Sequence, residues 1–224
     1  MARLAWDKVS ERLYETGIDH MVLYKQDNTG AYPKGVVWNG ITAFTESPSG
    51  AEPNPQYADN IKYLNILSAE EFGGTLEAFN SPKEFDECDG SAEIIPGVVI
   101  GQQTRKGFGL CYRTVLGNDV KYNDYGYKLH LVWGGLAAPS EKNYASINDS
   151  PELTPLSWEI STTPVEYTGY KPTATMTIDS TTVDPDKLAA LLDVLYGTDA
   201  GSGGSETEAR LPLPLEVVSI LSAG

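Results

Sequence analysis

Along most of this chain apolar residues recur at every second position. In Gly107–Leu116, Phe108, Leu110, Tyr112, Thr114 and Leu116 share one face, opposite Gly109, Cys111, Arg113 and Val115. Tyr127, Leu129, Leu131 and Trp133 alternate with Lys128, His130 and Val132, and Leu156, Trp158 and Ile160 with Ser157, Glu159 and Ser161. Ala174, Met176 and Ile178 alternate with threonines. Successive side chains of a strand point to opposite faces, so each run predicts a half-buried antiparallel strand with a polar outer face. Weaker alternation marks Ile18–Lys25, Val36–Thr45, Ile61–Leu67 and Thr75–Phe79, with Gly, Pro, Asn and Asp clusters between them. The pattern predicts a mainly β chain.

Two short helices are expected among the strands. Ser81-Pro82-Lys83-Glu84 reads as a capping box with proline at the first helical position, and Gly90 as its stop. Asp184-Pro185-Asp186 opens the second, whose stripe is Leu188, Leu191, Leu192 and Leu195 and whose stop is Gly197. Three segments escape the strand pattern. They are an N-terminal arm, 1–16, with Leu4 and Trp6; a long loop, Glu46–Asn60, with Pro48, Pro53, Pro55 and Tyr57; and residues 198–224. That last segment begins as the flexible linker Gly201–Ser205 and ends in an apolar tail that must pack on its own domain or on a neighbour. The central domain is then 17–197.

Charge and chemistry narrow the function. With 31 acidic and 16 basic side chains the net charge is −15, which argues against phosphate-backbone binding and against docking on an anionic membrane. No stretch is long and apolar enough to span a bilayer, and the first residues lack a signal-peptide core, so a cytosolic origin is the default. Cys88 and Cys111 leave one bridge open, with two separate reduced core thiols the default. Gly107-Phe108-Gly109 begins like a dinucleotide fingerprint, but Tyr112 stands at the third glycine position and no helix follows. Asn118-Asp119 and Asn123-Asp124 miss the calcium-loop spacing and read as turn residues. Asp86, Glu87 and Asp89 read as solvated surface charge, Trp133 and Trp158 as core. His20 and His130 read as satisfied or exposed histidines, and the Asn148-Asp149-Ser150 sequon carries little without secretion. No catalytic, cofactor-binding or metal-ligating residue is expected. A Tyr-rich turn at Tyr122, Tyr125 and Tyr127 keeps a carbohydrate-binding β-sandwich module as an alternative.

The order of parts resembles the major tail (tail tube) proteins of long-tailed bacteriophages, especially those infecting Gram-positive hosts. The residues that carry the resemblance are Tyr14–His20, Gly35–Ile41, Ala78–Phe85, Phe108–Arg113, Tyr127–Trp133, Ser146–Pro151 and Leu156–Thr163, a collinear set reaching to about Gly197. What it implies is an antiparallel β-sandwich or barrel with one flanking α-helix and a short second helix. It also implies a structural, non-enzymatic subunit that forms hexameric rings stacked into a tube. Genomic double-stranded DNA would pass through the lumen without specific binding. Tail tip and terminator proteins of the virion would be partners, and the protein would reside in the virion tail after assembly in the host cytoplasm. By the same resemblance the arm and the long loop bridge rings, with Leu4, Trp6, Pro48, Pro53, Pro55 and Tyr57 as contact candidates. A secretion-system tube protein of related fold is the nearest alternative.

Overall fold

A computed structural model describes residues 3–144, 146, 149, 153–200 and 206–222. The predicted sequon and the linker 201–205 fall largely or wholly outside the described residues. In chain order the strands are β1 (Leu13–Lys25), β2 (Gly35–Val37), β3 (Ile41–Glu46), β4 (Ser49–Gly50), β5 (Pro53–Ala58), β6 (Ile61–Leu67) and β7 (Glu70–Glu71). There follow β8 (Gly73–Ala78), β9 (Ala92–Ile95), β10 (Val98–Ile100), β11 (Phe108–Asn118), β12 (Tyr122–Ala137), β13 (Leu156–Thr162) and β14 (Thr175–Asp179). Two helices close the sequence of elements, α1 (Pro185–Tyr196) and α2 (Pro214–Ser222). Eight strands form one antiparallel sheet in the order β2-β1-β11-β12-β13-β8-β3, with β14 beside β12.

The sheet is buried on both faces, because its central strands are apolar at consecutive positions. Met21 and Leu23 of β1 enter one core while Val22 and Tyr24 enter the other. On β11 and β12 the same division sends Phe108, Leu110 and Val132 one way and Cys111, Leu131 and Trp133 the other. The expected polar outer face is therefore corrected for these strands. The first core is closed by Trp38, Leu76, Phe85 and Trp158. Its rings meet at tilted and edge-on angles, Trp38 lying 4.6 Å from Phe85 and 5.5 Å from Trp158, the geometry that ring quadrupoles favour. The second core is roofed by Leu188, Leu191 and Leu195 of α1 and by Leu211 and Val217.

Gly134 divides β12. Before it, Lys128–Val132 pairs with β14; after it, Gly135–Ala137 pairs with β13. Its φ of 64° is left-handed, and a Cβ there would fall 2.1 Å from the Thr163 carbonyl oxygen. Only glycine can make this change of partner without strain.

Several expected elements differ. α1 matches, with Asp184 accepting from the Asp186 and Lys187 amides. The segment after Ser81, however, is a single 3-10 turn, Lys83–Phe85, without a side-chain cap, since so few residues cannot repay helix nucleation. Val36–Thr45 splits into β2 and β3 at Gly40, whose φ is 81°. The arm ends earlier than Thr16, because Leu13–Thr16 already pairs with Val115–Asn118. Beyond the linker the apolar tail is a helix, α2, whose Val217 is fully buried on its own domain.

The largest correction concerns Glu46–Asn60. It is no loop: β5 pairs with β6 from Pro53↔Leu67 to Ala58↔Ile61, forming a projecting hairpin. Asp59 and Asn60, at φ 51° and 64°, make the two-residue turn, the double left-handed geometry that matches strand twist. Pro53 and Pro55, two residues apart, occupy equivalent ladder positions on a strand whose other edge is open, where a missing N–H does no harm.

Candidate assembly surfaces and a polar cleft

The hairpin is apolar and uncovered. Every residue of β5 and β6 is exposed, among them Tyr57, Ile61, Tyr63, Leu64, Ile66 and Leu67. A two-stranded hairpin in water is marginal by itself, and contiguous exposed apolar surface of this kind is the usual character of an interaction site. Pro48, Pro53 and Pro55 lie on this arm and are likewise exposed. Sequence reading missed the hairpin, although Asp59-Asn60 between two alternating runs is a turn signal.

Leu4 and Trp6, each 77% exposed, sit on a separate arm. That arm is tied at Ser10 to the turn between β11 and β12: the Ser10 amide donates to Asp119 Oδ1 at 3.0 Å, and Asn118 Nδ2 donates to the Ser10 carbonyl at 3.2 Å. The same turn is built by Asn118, whose side chain accepts from the Val120 and Lys121 amides. The hairpin arm instead springs from β3 and β8, so the six contact candidates belong to two distinct projections.

A third apolar projection was not anticipated. β9 and β10 expose Ile94, Ile95, Val98, Val99 and Ile100 around Pro96-Gly97. Glu93 stiffens it, accepting from the Gly97 amide at 2.8 Å and pairing with Lys83 Nζ at 2.6 Å. The aliphatic run on either side of Pro-Gly was the available signal.

The acidic cluster Asp86–Asp89 is mostly paired rather than merely solvated. Glu87 receives both Lys106 and Lys25, at 2.6 and 3.0 Å, and these bonds hold its carboxyl below the usual range. Asp89 receives Lys142 and Arg105, and Arg105 also donates to the Ala137 carbonyl. On β1, Asp19 accepts a two-pronged bond from Arg113 at 2.7 and 2.9 Å, which holds its carboxyl below the usual carboxylate range.

A cleft of about 700 Å3 opens where β1 and β3 approach without pairing. His130, 8% exposed, forms its floor and stacks on Tyr112, the ring centroids 4.7 Å apart and nearly parallel. Thr114 Oγ1 donates to Glu15 Oε1 at 2.6 Å and so must accept from His130 Nε2 at 2.9 Å, placing the ring proton on Nε2. Nδ1 faces Thr177 Oγ1 at 3.4 Å and Glu46 Oε1 at 3.7 Å. Tyr112 donates to that same Glu46 oxygen at 2.7 Å, and Lys128 pairs with Glu15. His20, by contrast, is exposed beside Asp19.

Cys88 and Cys111 are free and buried in opposite cores, which excludes a bridge between them. Burial pushes both thiols up to about 12, so neither is a nucleophile. Trp133 and Trp158 are core residues, as expected, but of different cores. Tyr122 is exposed at the start of β12, with Tyr125 and Tyr127 half-buried behind it. Among the described residues no group of three His, Cys, Asp or Glu side chains is placed to hold a metal ion, and no helix is long and apolar enough to cross a membrane. No protein-family model and no curated protein matches this chain.

Proposed function

We propose that this chain is a structural subunit of a phage tail tube, assembling as hexameric rings that stack around a DNA-conducting lumen. On this reading the two-faced sheet with its helices is a tail-tube β-sandwich, and the protein ends in the virion tail. The observation that carries the proposal is the β5–β6 hairpin, thirteen strand residues exposed throughout and rich in large apolar side chains. A monomer gains nothing from such an arm, whereas a neighbouring ring would cover it. Exposed Leu4 and Trp6 and the β9–β10 projection add further unsatisfied apolar surface. Six copies multiply a charge of −15 sixfold, so acidic groups facing the lumen would repel phosphates and let DNA slide.

Negative-stain microscopy of the purified chain, beside a variant with residues 51–69 replaced by a short Gly-Ser link, tests the reading. Rings or tubes are expected from the intact chain and only dispersed particles from the variant. Tubes formed equally well without the hairpin would remove its basis, and saturable binding on a glycan array would favour a carbohydrate-binding module instead.

A further inference from the structure

Glu46 is both the last residue of β3 and the root of the projecting hairpin, and it faces a buried imidazole. We propose that His130 and Glu46 form an acid-sensitive latch across the seam between β12 and β3, which draws the root of the β5–β6 arm toward the sheet when the imidazole takes up a proton. At neutral pH the ring carries its proton on Nε2, fixed by the relay through Thr114 to Glu15. A proton taken from solvent can only add at Nδ1. That atom looks at Glu46 Oε1 across 3.7 Å, a little beyond hydrogen-bond reach, with only the Thr177 hydroxyl nearby.

Among the described residues, the charged and titratable groups facing the ring are few. Glu15 comes from β1, Glu46 from β3, Tyr112 from β11 and Lys128 from β12 itself, while β14 contributes only Thr177. Glu15 is already engaged by Lys128 and Thr114, so its position is fixed. Glu46, nearly half exposed and held among the described residues only by the Tyr112 hydroxyl, is the more mobile carboxylate. Burial holds the imidazole below its ordinary basicity, against the pull of Glu46 and Glu15, so it stays neutral at neutral pH. On acidification the new charge in a poorly hydrated floor is relieved by closing the gap to Glu46. The β3 edge, unpaired on that side, can follow.

Hydrogen–deuterium exchange of the full chain at pH 7.5 and 5.5, corrected with unstructured reference peptides, reads the latch in fragments covering residues 44–52. Root amides are expected to slow about threefold or more at the lower pH, as closure of the latch suppresses local opening. Glu46→Gln, a half-exposed site that tolerates change, should abolish the slowing, as should His130→Gln. His20→Gln should keep it. Equal slowing in Glu46→Gln, or none in the intact chain, would overturn the latch. The readout concerns the root of the arm in whichever oligomeric form is present, so it is separate from whether tubes form.

Discussion

Trp133 joins distant parts of the chain. Its ring lies in the second core, and its Nε1–H donates to the Pro212 carbonyl at 3.0 Å, holding the segment that leads into α2 against the sheet. Trp133→Phe keeps much of the ring but strands that carbonyl, and urea unfolding should show a loss of ~1–3 kcal/mol. Next to it, Gly134→Ala forces a left-handed backbone and a clash with the Thr163 carbonyl, so a loss of at least ~1–3 kcal/mol is expected by the same measurement. Asp19 gives a pH-dependent case. Arg113 holds its folded-state pKa below the unfolded value, so its contribution is present above the ordinary carboxylate range and fades as pH falls through the lowered value. Asp19→Asn should therefore destabilise the protein near neutral pH, and the difference from the parent should vanish in strong acid. Neither cysteine should react with a thiol reagent until the protein unfolds, since both lie fully buried.

At the scale of elements, what the sequence shows depends on whether an element is stabilised locally. α1 is legible because its Asp184 cap, proline start, leucine stripe and Gly197 stop all lie within a short stretch. β11, β12 and β13 are legible from alternation, although β12 extends to Tyr122 and Ala137, beyond its clearest period. Burial on both faces is not legible, because the less apolar face of β11, with Gly109 and Cys111, becomes interior only when α1 and α2 cover it. α2 itself is hidden by Pro212 and Pro214, which suggest a break but serve as its entry. The hairpin was hidden for the opposite reason, since prolines that exclude a central strand are harmless on an exposed one. Of the candidate contact residues, Leu4, Trp6 and Tyr57 were legible as apolar side chains without a core role, whereas the β9–β10 projection and the His130 cleft needed three-dimensional proximity. Two element deletions follow. Replacing residues 51–69 should leave the thermal midpoint within a few degrees, because nothing in β5 or β6 is buried. Removing residues 206–222 should uncover Leu195, Trp133 and their neighbours, giving a lower thermal midpoint and bright dye binding by exposed apolar surface.

Across the whole molecule, in the proposed assembly the apolar projections would pull copies together while a charge of −15 on each would keep them apart. Screening shortens the reach of that repulsion to about 8 Å at physiological ionic strength, leaving short-range apolar contacts intact. Sedimentation at rising salt should accordingly show more assembly, and a falling assembled fraction would contradict an apolar interface. The two-faced sheet also orders events during synthesis. β1 leaves the ribosome early, yet Val22 and Tyr24 on it wait for Leu211 and Val217, which emerge only long after β11 and β12 have followed. Until then the nascent sheet is open on one side. The second core is thus completed only once translation has passed α2.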